Sequence, residues 1–179
     1  MKKKYGRRNF INTAIAGGIG LGLSNSFSAL YAQSGVPQKR IGIIGLDTSH
    51  SIAFTKALNA AGASADFKGY KVVAAYPKGS NDIISSAERI PGYTEEVKKL
   101  GVEIVSSIKE LLKKTDYILL ETNDGRLHLQ QALEVIKAGK PMFIDKPIAA
   151  SLKDAVAIFK AAEQNKVPVF SSSSLRFMT

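Results

Sequence analysis

The sequence predicts an α/β fold: a doubly wound parallel sheet of about six strands, covered by helices on both faces. Three observations carry this expectation. Short apolar runs alternate with stretches of helical periodicity, the rhythm of a parallel sheet with crossover helices. The first run, Arg40-Ile41-Gly42-Ile43-Ile44-Gly45, is almost continuously apolar, as a strand covered on both faces must be. Parallel strands also need right-handed crossovers, and each interval between the apolar runs is long enough to hold one.

The elements follow in chain order. Residues 33–38, with Gly35 and Pro37, read as a linker, and residues 40–45 as the first strand. In residues 51–61, Ile52, Phe54, Leu58 and Ala61 lie close to the i, i+3, i+4 spacing of a helix. Residues 70–76 form a second strand, ended by Pro77 and Gly79. The stretch 81–100 is polar and mixed, and a helix is expected only over 93–100. A third strand falls at 102–105, a short helix at 108–113, and a fourth strand at 117–120 between Asp116 and Glu121. Residues 126–138 read as a helix closed by Gly139, which suits a helix stop. The fifth strand is 142–144, a helix capped by Ser151 covers 152–165, and a sixth strand is 167–170. No internal repeat interrupts this order. A flavodoxin-like sheet is the alternative architecture. In either, ligands lie outside the carboxyl ends of the strands, where segments 45–50, 76–80, 121–124 and 145–147 gather.

Composition narrows the function. The 179 residues suffice for one domain with a real core. The net charge of +10 is uneven, because the first 32 residues hold five basic residues and no acid, leaving 20 basic against 15 acidic elsewhere. The other lysines are scattered, Lys98, Lys99, Lys113 and Lys114 among them on solvated helix faces, so no nucleic-acid partner is expected. The absence of cysteine excludes disulfides and thiolate chemistry. His50 and His128 are the only imidazoles, too few for a histidine-rich metal site, and no metal is expected.

Residues 1–32 read as a cleaved signal peptide: a basic start with Lys2, Lys3, Lys4, Arg7 and Arg8, an apolar run, then small residues ending at Ala32. Gly6-Arg7-Arg8-Asn9-Phe10-Ile11 resembles the twin-arginine export motif, departing from it at Gly6 and Asn12. The alternative is an ordinary secretory signal or an uncleaved anchor. The expectation is export to the periplasm or beyond, with the twin-arginine machinery as partner and membrane contact only during export. No second apolar stretch approaches the ~18 to 20 residues of a spanning helix.

The most informative segment is Gly139-Lys140-Pro141-Met142-Phe143-Ile144-Asp145-Lys146-Pro147, an apolar strand that delivers an acid, a lysine and a proline at its carboxyl end. With the glycine turn at Gly45, the Thr122 to His128 segment and Ala138-Gly139-Lys140-Pro141, it resembles the amino-terminal Rossmann domain of the Gfo/Idh/MocA oxidoreductases over residues 39–177. The usual acid before the lysine is Glu, and Asp145 stands there. That resemblance implies NAD or NADP as cofactor and places Lys146 near the nicotinamide and the substrate. A cation there can stabilise an alkoxide or bind the hydroxyl that loses its proton. The family's G-x-G-x-x-G turn reads Gly45-Leu46-Asp47-Thr48-Ser49-His50, with Asp47 and His50 at the second and third glycine positions.

The cofactor candidates are Gly45, Leu46, Thr48, Ser49, Lys78, Thr122, Asn123, Asp145 and Lys146, with Thr48 and Ser49 as donors at a helix start, and by that resemblance Lys146 is the catalytic residue. Asp47 brings a negative charge toward the two phosphates, or else pairs with His50 to cap the helix or contact substrate. No acid ends the second strand to hold the ribose. Lys78 and Ser80 suit a 2′-phosphate, which favours NADP, or are ordinary loop residues. Arg126 recognises an anionic substrate or pairs with Asp124. His128 and Arg176 complete the substrate candidates. Family members continue into a second α/β domain that supplies much of the substrate pocket and the oligomerising sheet face. The resemblance therefore implies that residues 39–179 are one domain of a truncated chain, inactive alone, from an oxidoreductase acting on a small, sugar-like or polyol substrate, whose full-length parent can oligomerise. A cofactor-assisted glycoside hydrolase and a binding module that has lost the dinucleotide are the alternatives.

Overall fold

The computed structural model describes residues 38–173. The signal segment, nearly all of the linker and Arg176 lie outside the described residues.

Strand β1 (Lys39–Ile44) occupies the middle of the sheet because its Ile41, Ile43 and Ile44 find apolar cover on both sides. β2 (Tyr70–Tyr76) and β3 (Glu103–Ile104) extend the sheet on one flank, and β4 (Tyr117–Leu120), β5 (Met142–Ile144) and β6 (Val169–Ser171) extend it on the other. The order is β3-β2-β1-β4-β5-β6, and every pairing is parallel. This is the Rossmann order, with its switch point between β1 and β4, and it excludes the flavodoxin-like alternative.

Five helices make the crossovers: α1 (Ser49–Asn59), α2 (Ile84–Lys99), α3 (Ile108–Lys114), α4 (Gly125–Lys137) and α5 (Leu152–Gln164). Strand side chains alternate between faces, and two cores result. Ile41, Ile43, Val72 and Ala75 pack with Ile52 of α1 and Val97 of α2. Ile44, Ala74, Ile118, Leu120, Met142 and Ile144 pack with α3, α4 and α5 through Leu111, Val135 and Ile158. A Cβ at Gly42 would stand 3.0 Å from Leu111 and Thr115 of the adjoining helix and its cap. The glycine in the middle of β1 thus sets how closely α3 can approach. On the α1 side, Phe54, Phe143 and Phe170 form a run of tilted rings, with centroids 6.0 and 5.3 Å apart.

Several boundaries differ from expectation. Helix α2 begins at Ile84, well before the expected residue 93, and carries Pro91 within it. Pro91-Gly92 reads as a breaker because proline lacks an N–H and crowds the preceding turn. The helix nevertheless passes through, anchored by buried Ser86 and Val97, and the Thr94 hydroxyl donates to the Ile90 carbonyl at 2.6 Å. β6 starts at Val169 because Pro168 has no N–H to give the ladder; its carbonyl instead accepts from Met142 N–H at 2.9 Å. Val102 and Val105 are buried, yet only Glu103 and Ile104 pair along β2. The Ser151 cap forms as expected, accepting from Asp154 N–H at 3.1 Å. Gly139 follows α4 with φ +69°.

Candidate functional site

The carboxyl ends of β1, β2, β4 and β5 meet on one edge of the sheet, and four loops leave them side by side. After β1 the chain turns at Gly45, which has φ +90° and whose Cβ would lie 2.5 Å from the Thr122 backbone nitrogen. Only glycine allows the first and second halves of the sheet to approach so closely there. Leu46 is fully buried in the core beside α1, so its side chain is turned away from the edge.

Asp47 is fully buried, and its Oδ1 accepts from Asn123 N–H at 3.0 Å. Its other oxygen lies where a Cβ on Gly79 would be. The carboxylate therefore points into the junction of the loops after β2 and β4. It neither caps α1 nor pairs with His50, as one sequence reading had it. Burial pushes the Asp47 carboxyl up, and hydrogen bonds from Asn123, Ser80 and Ser86 work against that. Thr48 precedes α1 in an extended conformation and gives no side-chain cap. Its hydroxyl is buried and finds no partner among the described residues. The first N–H groups of α1 are thus not taken by a side chain, which leaves the positive end of the helix open to an anion.

His50, the second residue of α1, reaches across the edge instead, and its Nδ1 lies 2.7 Å from Asp145 Oδ2. Asp145 is 3% exposed, and its Oδ1 accepts from Lys146 N–H at 2.8 Å. The Lys146–Pro147 peptide is cis. The Lys146 side chain is exposed at the mouth of the edge.

Between these groups stands Glu121, the residue directly after β4. It is fully buried, and neither carboxylate oxygen has a partner among the described residues. Burial, then the charges of Asp145 and Asp47, push its carboxyl up to about 8, with Lys146 pulling the other way. Sequence reasoning treated Glu121 as the end of a strand and missed it. The available signal was an acid immediately after the apolar run Tyr117-Ile118-Leu119-Leu120, at a carboxyl strand end. One ligand atom each from His50, Glu121 and Asp145 lie within 4.8 Å of one another, a set that sequence alone gave no reason to group.

The remaining candidates separate from this centre. Thr122 is fully buried, its hydroxyl without a partner, and its carbonyl lies 2.6 Å from His128 Nε2. His128 Nδ1 lies 3.1 Å from the Ile148 carbonyl, so both ring nitrogens face backbone oxygens and the buried ring ties the β4 loop to the β5 loop. Asn123 Nδ2 donates to Ser86 Oγ at 3.2 Å. Arg126 pairs with Asp124 at 2.7 Å and also with Asp82 at 2.7 Å. The guanidinium holds the Asp124 carboxyl down at about 2 and lowers that of Asp82. These three side chains border a cleft of about 360 Å³ between the β2 and β4 loops, lined also by Gly79, Ser80 and Leu127. Lys78 is exposed outside that lining, and the Ser80 hydroxyl donates to Asp82 Oδ1 at 2.5 Å. Ser49 is exposed on the first turn of α1.

A dinucleotide is thus matched at its diphosphate end by the tight turn at Gly45, the uncapped start of α1 and the unpartnered Thr48 hydroxyl. The inward turn of Asp47 keeps its charge in a hydrogen bond to Asn123.

Residues 39–173 match the Gfo/Idh/MocA family, an oxidoreductase family with an NAD-binding Rossmann fold, and the chain belongs to that family. It is 33% identical over 93 residues to the 1,5-anhydro-D-fructose reductase of Ensifer adhaerens, a stretch covering 51% of this chain and 27% of that protein. Among solved structures it resembles an NAD-binding protein from Listeria innocua, with TM-score 0.57 and 21% identity over 78% of this chain and 36% of the other. It also resembles the WlbA dehydrogenase from Bordetella pertussis, solved with NADH and UDP-GlcNAcA. That likeness has TM-score 0.57 and 22% identity and covers 75% of this chain and 37% of the other. The chain spans little more than a third of the length of these structures and about a quarter of the reductase. One relative is thus a sugar-related reductase, and the family's NAD-binding Rossmann fold supports NAD(P) as the cofactor.

Proposed function

We propose that this chain is the nucleotide-binding part of an exported NAD(P)-dependent oxidoreductase acting on a sugar or polyol-like small molecule. The observation that carries the reading is Lys146: an exposed ammonium on a turn anchored by Asp145, beside the open amino end of α1. The sugar reductase among the relatives supports the substrate class. Gly45, Thr48 and Ser49 would hold the diphosphate, with Thr122 and Asn123 along the ribose. The bound nicotinamide would supply or accept the hydride.

The chain's own residues do the rest. Asp145, fixed by Lys146 N–H on one oxygen and His50 on the other, holds the turn that carries Lys146. Lys146 then donates to the substrate oxygen that gains or loses its proton, stabilising charge as it develops there. Lys78, exposed after β2, would receive a 2′-phosphate and favour NADP. Arg126 shares its charge with two acids and so is held ready for a polar substrate group rather than free for one.

The reading is tested by following NADH and NADPH fluorescence on titration with the chain and with the longer protein. Saturable binding of either nucleotide is expected. Lys146→Ala in the longer protein is expected to abolish turnover while cofactor affinity stays within about twofold, and unchanged turnover would remove Lys146 from catalysis. Arg7→Lys with Arg8→Lys is expected to stop export through the twin-arginine route. A second reading, a binding module that has lost the dinucleotide, draws on Asp47 in place of the second glycine and on Asp82 being tied to Arg126. A folded longer protein that binds neither nucleotide would establish that reading in place of the first.

A further inference from the structure

We infer that His50, Glu121 and Asp145 form a binding site for one divalent first-row transition cation of the zinc or manganese kind, at the switch point between β1 and β4. The site shares Asp145 and His50 with the turn that carries Lys146, but its occupation does not require a bound dinucleotide.

Three elements converge to make it. His50 comes from the first turn of α1, Glu121 from the end of β4 and Asp145 from the end of β5. A nitrogen and two carboxylate oxygens lie mutually within 4.8 Å. Ligands about 2.1 Å from a metal sit about 3.0 Å apart at right angles and about 4.2 Å apart in opposition. The His50 Nδ1 to Asp145 Oδ2 separation of 2.7 Å needs only a small opening to admit a cation in place of the shared proton.

Glu121 supplies the independent observation. A side chain with no exposed surface and two partnerless oxygens is rare, because a buried carboxyl group needs hydrogen-bond or metal partners whether or not it carries a proton. The two acids that act on its charge, Asp145 and Asp47, offer it acceptors and not donors. Lys146 acts on it too, yet its ammonium forms no ion pair among the described residues and is exposed. A cation between Glu121 and Asp145 would satisfy the orphaned oxygens and offset the charge of three buried acids at one sheet edge.

The donor set points to the class of ion. One imidazole with two carboxylates suits zinc, a borderline ion, best; manganese, harder but tolerant of a nitrogen ligand, follows, ahead of magnesium and calcium, which prefer oxygen alone. Three protein ligands leave at least one position for water or a substrate oxygen, as in catalytic zinc sites. His50 is 36% exposed at its side chain, which leaves the site within reach of solvent.

The test is titration of the untagged, metal-stripped 179-residue chain with Zn²⁺ by calorimetry and with Mn²⁺ by electron paramagnetic resonance, without nucleotide. One equivalent of each is expected to bind, zinc more tightly than manganese. Glu121→Gln keeps size and shape, and His50→Ala removes a half-exposed group; each is expected to weaken zinc at least tenfold while the far-ultraviolet spectrum stays unchanged. Asp82→Asn, in the separate cleft beside Arg126, is expected to leave zinc affinity as it is. No saturable binding below ~1 mM, or equal binding by the parent chain and both site variants, would overturn the site. Loss confined to Asp82→Asn would move the cation to the other cleft and overturn it as well.

Discussion

Substituting Gly79 by alanine probes the most unusual packing at this edge, because the cost comes from one neighbour. Gly79 does not adopt a positive φ, so its backbone accepts an L-residue without strain. In open space such a Gly→Ala change stabilises a protein by ~0.4 to 1 kcal/mol, through a less disordered unfolded chain. Here the new Cβ would occupy the position of an Asp47 carboxylate oxygen. Asp47 would have to leave its 3.0 Å bond with Asn123 N–H and its contacts with Ser80 and Ser86. A hydrogen bond to a charged group contributes ~1.5 to 3 kcal/mol, so Gly79→Ala alone is expected to cost about 2 kcal/mol net. With Asp47→Ala already in place the obstacle is gone, and the same alanine is expected to be neutral or stabilising by up to about 1 kcal/mol. Urea denaturation of the four members of this double-mutant cycle measures both steps. The expected coupling is about 2 to 3 kcal/mol, at the upper end for contacting residues. A Gly79→Ala cost of the same sign and size in both backgrounds would refute the inward placement of Asp47. The turn after β1 would then present that carboxylate to the ligand side instead.

Other expectations follow from individual contacts. Gly45→Ala combines φ +90° with a Cβ 2.5 Å from the Thr122 backbone nitrogen, which cannot swing aside as a side chain can. It is expected to cost more than ~3 kcal/mol and to lower the melting temperature by at least about 10 °C. The Asp124 carboxyl is held at about 2, below its ordinary value, chiefly by the Arg126 hydrogen bond. Its contribution is therefore fully present above about pH 4 and lost as pH falls through 2. Arg126→Ala is expected to flatten the fall in stability across that acid window in denaturation series, and an unchanged acid limb would contradict the pairing. Ser151→Ala removes the cap that accepts from Asp154 N–H at 3.1 Å and is expected to cost about 1 kcal/mol by urea denaturation.

The sheet was legible in the sequence because its strands are apolar runs with one dominant signal each. The run at 40–45 and the Met142-Phe143-Ile144 run both fell where they were expected, and the rhythm between them implied the crossovers. Helix α2 was half hidden, since Pro91-Gly92 carries a strong local stop signal that tertiary burial of Ser86 and Val97 overrides. The site was less readable, for a different reason. A linear pattern located the positions of Asp47 and His50 but not the directions of their side chains. Those directions depend on Gly79, Asn123 and Asp145, which are 32, 76 and 98 residues from Asp47. Glu121 escaped notice because its distinguishing property is the absence of partners, which exists only in three dimensions.

The two departures from the glycine pattern now have separate structural roles. Asp47 turns inward and joins the β1 turn to the loops after β2 and β4, while His50 turns outward along the edge and joins α1 to the loop after β5. A turn made of three glycines leaves its neighbours free to approach a ligand; this one is fastened on two sides. What remains open is the start of α1, at Thr48 and Ser49, and the space between Glu121 and Lys146. Phosphate at the first and a cation at the second would each meet groups that lack partners among the described residues. The fastening therefore narrows the ligand surface to two adjacent positions of opposite preference, an anion at the helix start and a cation at the buried acids.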